Sequence, residues 1–387
     1  MPSEFDEAPD RFGTNSMKWQ VGEGELPMWV ADMDFRTAPV IMDALRRTVD
    51  HGVLGYTIVP RAYGRAVASW WRNRHGWDID ERWIALTTGV VPAISSMVRT
   101  LTQPGDQVAV LTPVYNIFFN CIRNSGRVPV SSPLVTRDDG DEVNWAGLEG
   151  VLAQPRTTLL LLCNPQNPTG TIWSARMLAR LGALCATHGV RVISDEVHGD
   201  LTAPGTRYIP FATASATCER IGVTCLAPTK AFNIAGLQTA AIVAADPELR
   251  ASVVRGINRD EVAEPNAFAV AATIAAFEHG SPWLDELRAY LFANKAHAAA
   301  SVSAIPGLSA LATPATYLLW IKATGFGLTG IELAEAIRRH SGLVLSDGEA
   351  YGAGPGTYLR MNVACPRRRL DEGLARLRRA VDAIPRP

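Results

Sequence analysis

The chain has 387 residues, of which 47% are hydrophobic and 19% charged, and its formal net charge is -1. This composition is that of a globular protein with a large core, and the near-neutral charge gives no electrostatic reason to expect a nucleic acid or an anionic membrane surface as partner. The six cysteines include no C-x-x-C pair, and the start "MPSEFDEAPDRF" lacks the apolar segment of a signal peptide. We therefore expect a soluble, cytoplasmic protein.

Short apolar runs alternate with amphipathic ones from about residue 85 onward. "WIALTTG" leads into the helical pattern "VPAISSMVRTL", and "QVAVLTP" reads as the next strand. "TTLLLLC" is followed by a helix that Ser174 caps, and then come the strands "VRVIS", "RIGVTCLA" and "TAAIVAA". Continuous apolar strands that alternate with helices predict an α/β fold with a mainly parallel sheet covered on both faces.

The pattern changes after "EHGSPW" at 278–283. A long helical stretch is followed by the strand-like runs "TYLLWIKA" and "TYLRMNVA", which predict a smaller α+β C-terminal domain. We expect an N-terminal arm with part of the small domain at 1–45, a large cofactor-binding domain at 46–280 and a small C-terminal domain at 281–387.

Polar side chains follow several predicted strands at the point where each strand ends. Asn167 comes after "TTLLLLC", Asp195 and His198 come at the end of "VRVIS", and Lys230 follows "RIGVTCLA". "WIALTTG" ends at Gly89, where a helix opens. Because ligands of open α/β sheets bind beyond the carboxyl ends of the strands, we expect these groups to share one site.

Lys230 is notable because the chain contains 33 arginines and only four lysines. A guanidinium stays protonated and is a poor nucleophile towards an aldehyde, whereas a desolvated lysine is readily activated. Pyridoxal phosphate needs such an amine, an acid opposite its ring nitrogen, an anion site for its phosphate and a face on which to stack. The helix N-terminus after Gly89 suits the phosphate, and Tyr115 could provide the face. These residues predict a pyridoxal-phosphate site.

The motifs "SDEVHGDL", "APTKAFNIAGLQ", "NPQNPTG" and "LRMNVACPR" resemble those of the fold-type I pyridoxal-phosphate enzymes, the aspartate aminotransferase superfamily. "LPMWVADMDF", "GYT" and "GVVPAI" resemble the MalY/PatB branch, the cystathionine and cysteine-conjugate β-lyases. The resemblance covers nearly the whole chain in the expected order. It implies a large domain with a mainly parallel seven-stranded sheet and a smaller α+β C-terminal domain.

The resemblance also implies roles for the residues around the cofactor ring. Lys230 would bind the cofactor aldehyde covalently, and Asp195 would pair with the pyridinium nitrogen. Asn167 and His198 would contact the phenolic oxygen. Tyr115 would stack on the ring.

Further roles concern the phosphate and the substrate. The resemblance implies that the backbone amides of Val90 and Val91, with the Thr229 hydroxyl, bind the phosphate. Tyr56 would reach the phosphate of a neighbouring subunit, which implies a homodimer with shared active sites. Arg360 would bind the substrate carboxylate through two hydrogen bonds, a geometry that suits arginine.

The implied reaction is a β-elimination that cleaves L-cystathionine or a cysteine S-conjugate to a thiol, pyruvate and ammonia. Lys230 would remove the Cα proton, and Tyr56 and Tyr115 are candidate proton donors to the leaving sulfur. Gln20 stands where the branch usually has aspartate, and Gln166 where histidine is commoner, which leaves the substrate open. An aminotransferase, a lyase or decarboxylating deaminase of bulky cysteine conjugates, and a non-enzymatic regulator that keeps the cofactor are the alternatives.

Two other patterns carry less weight. "GFGLTG" at 325–330 matches a dinucleotide-binding motif, but Thr329 opens a Thr-x-x-Glu capping box. The helix is therefore expected to begin after Thr329, too late to place its N-terminus against a pyrophosphate.

Asp195, His198 and Asp200 could suggest a metal, but no further ligand cluster accompanies them, so we expect no metal site.

Overall fold

The structure, a computed structural model, describes residues 3–137, 140–354 and 356–387. The strands are β1 (Leu26–Pro27), β2 (Ile84–Thr87), β3 (Gln107–Thr112), β4 (Val128–Pro133), β5 (Val135–Arg137), β6 (Gly140–Glu142), β7 (Thr157–Cys163), β8 (Arg191–Asp195), β9 (Gly222–Leu226), β10 (Ala240–Val243), β11 (Leu308–Ala310), β12 (Leu318–Ala323), β13 (Leu343–Val344), β14 (Ser346–Asp347) and β15 (Thr357–Asn362). The helices are α1 (Pro39–His51), α2 (Arg61–His75), α3 (Val90–Leu101), α4 (Ile117–Asn124), α5 (Trp145–Leu152), α6 (Ala175–Thr187), α7 (Ala216–Ile221), α8 (Pro247–Arg259), α9 (Ala267–His279), α10 (Ser281–Ser303), α11 (Gly330–Ser341) and α12 (Arg367–Ala383).

The larger sheet has seven strands in the order β2-β10-β9-β8-β7-β3-β4. All its neighbouring strands are parallel except β10, which is antiparallel to both β2 and β9. Helices α3, α4 and α8 cover one face of the sheet, and α5, α6 and α7 cover the other. Strand β7 is accordingly buried on both sides, which is why its sequence is apolar without alternation. The predicted seven-stranded, mainly parallel sheet is confirmed.

A smaller antiparallel sheet, β11-β12-β15-β14, forms the C-terminal part together with α10, α11 and α12. Helix α11 begins after Thr329, whose side chain forms the predicted capping box with Glu332, so the dinucleotide-motif alternative has no support. Strand β1 pairs with β13, which ties the N-terminal segment to this part of the chain. The domain boundaries at 45 and 280 stay predictions. Among the described residues, no helix has both the length and the apolar character needed to cross a membrane.

An ionic network ties the N-terminal segment to helix α12. Lys18 Nζ lies 3.1 Å from Asp34 Oδ1, and both side chains are only 1% exposed. Arg11 and Arg369 also lie 3.1 Å from the Asp34 carboxylate. Burial opposes ionisation of Asp34, but the charge of Lys18 and its other partners hold its pKa below the ordinary value. The network thereby orders the backbone at 29–35, which forms one wall of the cavity described below.

Strand register brings the polar strand ends together. Asp195, the last residue of β8, lies opposite Cys163 of β7 and Cys225 of β9. The segments that follow these three strands therefore leave the same edge of the sheet side by side. They carry Asn167, His198 and Lys230 respectively.

Candidate active site

A cavity of about 680 Å³ opens at this edge of the sheet. Nine of the ten residues that the sequence predicts for the site line it: Val90, Val91, Tyr115, Asn167, Asp195, His198, Thr229, Lys230 and Arg360. Tyr56 does not line it. The structure thus brings together the predicted groups of one chain, and the role of each group stays a prediction.

Lys230 is half-buried and reaches the cavity from the turn after β9. Its Nζ donates a hydrogen bond to the Ala31 carbonyl oxygen at 2.6 Å. Burial, followed by the positive charge of Arg360, lowers the pKa of Lys230 to about 8. At neutral pH a useful fraction of this amine is therefore unprotonated and able to act as a nucleophile or base.

Asp195 lies buried at the end of β8, and its Oδ1 accepts a hydrogen bond from the Val197 N–H at 3.2 Å. Burial raises the pKa of Asp195 to about 6, although the Val197 N–H and Lys230 favour the charged form. The carboxylate is thus ionised at neutral pH, but its negative charge is only partly balanced by neighbouring hydrogen bonds and positive charge. A protonated ring nitrogen opposite it would supply the missing positive charge.

His198 presents an unpartnered polar atom to the site. It is buried, and its Nδ1 has no hydrogen-bond partner within the described chain. Burial and the charge of Lys230 lower the pKa of His198 well below its ordinary value, so the imidazole is neutral. A buried polar atom without a partner is destabilising by about 1–3 kcal/mol, which favours a ligand that would engage it.

Arg360 on β15 has a buried guanidinium that is only partly satisfied. Its Nη1 donates to Asn167 Oδ1 at 3.2 Å and its Nη2 to the Trp29 carbonyl oxygen at 2.9 Å, whereas Nε is buried without a partner. The Tyr351 ring lies 4.6 Å from its Cζ atom. Burial lowers the pKa of Arg360, but a guanidinium remains charged. This guanidinium can therefore bind the carboxylate of a ligand and donate hydrogen bonds to it.

The N-terminus of α3 forms the anion-binding end of the cavity. Gly89 precedes the helix with a φ of 139°, a conformation that favours glycine, and no side chain caps the first turn. The N–H groups of Val90 and Val91 are thus available, and the helix dipole favours a negative charge here. Thr229 lines the same cavity. An amine, a carboxylate, an open helix N-terminus and an unpartnered imidazole nitrogen together fit pyridoxal phosphate.

The two predicted tyrosines differ in position. Tyr115 lines the cavity and packs edge-on against Phe118, with 5.8 Å between ring centroids. Burial, and then the Asp195 charge, raise the pKa of Tyr115 above its ordinary value. Tyr56 is fully exposed in the loop between α1 and α2. Within one chain it contacts no part of the site, so its predicted role requires a second copy.

Several lining residues were not found from the sequence, including Trp29, Gln238 and Tyr351. Gln238 ends the motif "AFNIAGLQ" and adopts a φ of 51°, so its place in the motif was an available signal. Trp29 stands in the motif "LPMWVADMDF", so its place in that motif was an available signal as well. Gln166, a departure from the family pattern, is buried outside the cavity, where its Nε2 donates to the carbonyl oxygens of Leu111 and Pro113.

Comparison with known proteins agrees with this geometry. The family model described as aminotransferase class I and II matches residues 26–377. The chain is 41% identical to cystathionine beta-lyase PatB of Bacillus subtilis, over 97% of this chain and 99% of the relative, and 32% identical to protein MalY of Escherichia coli, over 99% and 96%. The structure of the PLP-bound C-S lyase from Staphylococcus hominis superimposes with a TM-score of 0.91 at 29% identity and covers 98% of this chain and 99% of that one. The chain belongs to the class I and II aminotransferase family.

Proposed function

We propose that this protein is a pyridoxal-phosphate-dependent carbon–sulfur β-lyase that cleaves L-cystathionine or a cysteine S-conjugate to a thiol, pyruvate and ammonia. The convergence of Lys230, Asp195 and Arg360 on one cavity carries the proposal, because it supplies an amine, a carboxylate and a carboxylate-binding cation. The full-length similarity to the cystathionine beta-lyase PatB supports lyase chemistry.

Pyridoxal phosphate, when bound, supplies a conjugated ring that withdraws electrons from the substrate's α-carbon. Lys230 would hold the aldehyde covalently, and Asp195 would keep the ring nitrogen protonated. Asn167 and His198 would contact the phenolic oxygen, and Tyr115 would provide the stacking surface. These assignments explain the raised pKa of Asp195 and the unpartnered imidazole nitrogen.

The remaining groups bind the two anionic ends. The N–H groups of Val90 and Val91 and the Thr229 hydroxyl bind the phosphate. Arg360 binds the substrate carboxylate through its free Nε and an adjacent nitrogen. With both ends fixed, the substrate amine would displace Lys230 from the cofactor, and the freed Lys230 amine would remove the Cα proton while the thiolate leaves from Cβ. Tyr115 and a neighbouring subunit's tyrosine at position 56 are the candidate proton donors to the sulfur.

Product analysis distinguishes a lyase from an aminotransferase. Incubation with L-cystathionine or an S-substituted cysteine, without an added keto acid, should release pyruvate, ammonia and thiol in equal amounts. A parallel incubation with 2-oxoglutarate should give the same rate and no glutamate. Keto-acid-dependent turnover without thiol release would favour the aminotransferase. For bulky conjugates, mass spectrometry would reveal a decarboxylating deaminase by loss of carbon dioxide with the sulfur retained.

The lowered pKa of Lys230 predicts how cofactor attachment depends on pH. Since the unprotonated amine is the nucleophile, the attachment rate to the cofactor-free protein should rise about tenfold per pH unit below pH 8 and level off above it. Stopped-flow absorbance at fixed cofactor concentration measures this rate. Nα-acetyllysine in the same buffers is the control, and its rate should keep rising towards pH 10. A protein profile that also rises to pH 10 would contradict the lowered pKa.

We propose that the protein is a homodimer with shared sites. The loop 52–60 between α1 and α2 reads "GVLGYTIVP", and it exposes Val53, Leu54, Tyr56 and Ile58 by 70%, 61%, 108% and 79%. A contiguous apolar segment of this size is typical of an interaction surface. A second copy that buried this loop could bring Tyr56 to the neighbouring phosphate, which the family resemblance implies.

Complementation tests the shared site. Tyr56→Ala should lower kcat/KM by about 10- to 100-fold, the value of a hydrogen bond to a charged group, and Lys230→Ala should be inactive. After the two variants are mixed under subunit exchange, about half of the dimers should be mixed dimers, in which one of the two sites carries neither change. Activity should then rise to about a quarter of wild type. Activity no higher than the mean of the two separate variants would contradict sharing.

Two further proposals concern location and domains. We place the protein in the cytoplasm, supported by its six cysteines, all of which are buried free thiols. We divide the chain at residues 45 and 280. The start of α10 at Ser281 supports the second boundary, and the pairing of β1 with β13 supports joining the N-terminal segment to the small domain, although residue 45 itself lies within α1.

A further inference from the structure

The cavity has an outer wall that the cofactor and the substrate carboxylate do not use. We define the outer wall as six of the lining residues that have no role assigned above: Met17, Trp29, Ile117, Leu345, Asp347 and Tyr351. The uncharged polar residues Asn116, Gln238 and Ser346 also line the cavity. Met17 is 68% exposed, so this wall reaches the mouth of the cavity. We assign to this wall the sulfur substituent of a cysteine conjugate, because the other end of the substrate is taken by Arg360. Apart from Asp347, the wall consists of apolar and aromatic side chains.

The positively charged side chains that line the cavity already have roles in binding the cofactor and the substrate carboxylate. Among the lining side chains of the described chain, Lys230 and Arg360 are the cations, since His198 is held neutral. Lys230 serves the cofactor and Arg360 the α-carboxylate. The loop 52–60, which we propose reaches the neighbouring site, carries no charged residue. A negative charge on the sulfur substituent would therefore lose its hydration without gaining a partner.

The carboxylate of Asp347 disfavours the binding of an anionic group at the outer wall. It is half-buried at the end of β14, next to Ser346, which lies in register with Arg360. Its Oδ1 accepts a hydrogen bond from the Ala350 N–H at 2.9 Å, which holds the carboxylate in place. Like charges in a partly desolvated cavity repel strongly, so this carboxylate adds repulsion to the missing counter-charge.

We infer that the enzyme prefers cysteine S-conjugates whose thiol part is uncharged and apolar and discriminates against those whose thiol part is anionic. The inference rests on the proposed lyase function and specifies its substrate class. Cystathionine, whose distal end carries both an ammonium and a carboxylate, ranks between the two groups. The outer wall thus selects for the charge of the leaving thiol, and Arg360 selects for the amino-acid end.

A charge series of similar length tests the inference: S-propyl-, S-(2-aminoethyl)- and S-carboxymethyl-L-cysteine. We expect kcat/KM for the propyl conjugate to exceed that for the carboxymethyl conjugate by at least about tenfold, mainly through KM. The aminoethyl conjugate should not share the anionic conjugate's raised KM. Equal kcat/KM for the neutral and anionic conjugates would overturn the charge preference alone. Absence of pyruvate from all three would overturn the proposed function, and this inference with it.

Two variants locate the effect in the outer wall. Asp347→Asn keeps an acceptor for the Ala350 N–H, and it should shift the carboxymethyl-to-propyl ratio of kcat/KM towards the anion by about three- to tenfold. Met17→Lys adds a cation at the mouth and should shift the ratio in the same direction, whereas the matched Met17→Gln should leave it unchanged. Because the same two substrates are used with every variant, differences in leaving-group basicity cancel when the ratios of the variants are compared with that of the wild type. An unchanged ratio in both charge variants would overturn the inference.

Discussion

Replacing Lys230 with alanine is expected to lower kcat/KM for cystathionine or an S-substituted cysteine by at least about 10⁴-fold. The substitution removes both the amine that holds the cofactor covalently and the base that takes the Cα proton, and no other lysine lines the cavity in the described chain. The visible absorbance of lysine-bound cofactor should vanish at the same time. Steady-state kinetics and the absorbance spectrum are the two measurements.

Lys322→Ala provides the matched control, because Lys322 on β12 is an exposed lysine outside the cavity. It should keep wild-type kinetics and spectrum. Partial recovery of Lys230→Ala by a small added amine would separate loss of the base from misfolding. Turnover within tenfold of wild type by Lys230→Ala would remove Lys230 from the mechanism and with it the main support for the proposed function.

Much of the site could be predicted because it depends on local pattern. The apolar runs that become β7, β8 and β9 are identifiable without tertiary information, and parallel strands must end at a common edge. Asn167, Asp195 and Lys230 follow from that rule. The open N-terminus of α3 follows in the same way from a glycine before an amphipathic pattern.

The outer wall could not be predicted by such reasoning. Trp29 reaches the cavity because Arg11 and Lys18 form salt bridges with Asp32 and Asp34, which follow it in the chain. Such contacts between charges leave no periodic pattern in the sequence. Tyr351 is placed by a short helical turn and by the register of β14 with β15. Tyr56 illustrates another limit, since its surroundings depend on a second chain. Trp29, Tyr351 and Tyr56, whose positions depend on contacts between distant parts of the sequence or between chains, were thus not predicted from local pattern. Two of them, Trp29 and Tyr351, line the cavity.

Asp195→Asn is expected to lower kcat by about 10²- to 10³-fold, with a smaller change in KM. Asparagine has nearly the same shape and can still accept the Val197 N–H, but it has no charge with which to keep a ring nitrogen protonated, so the ring would withdraw electrons less strongly. Glu196→Gln is the matched control. Glu196 is also buried and burial raises its pKa to about 7, but it contacts Ser194, Tyr208 and Phe211 and does not line the cavity.

The same variant should stabilise the cofactor-free protein, which would separate loss of function from misfolding. Burial raises the pKa of Asp195 from 3.8 to about 6, so above pH 6 the folded state carries a charge that the unfolded state hydrates better. Asparagine removes that penalty, and the free energy of unfolding near pH 7 should rise by about 1–3 kcal/mol. The difference should shrink as the pH falls through 6 and be small at pH 4, close to the pKa of 3.8 in the unfolded state. Urea titrations of both proteins at pH 7 and pH 4 measure this change. If the variant is inactive and less stable than wild type at pH 7, Asp195 has a structural role. If it is less active but more stable, Asp195 is a buried charge that costs folding stability and serves the cofactor, as we propose.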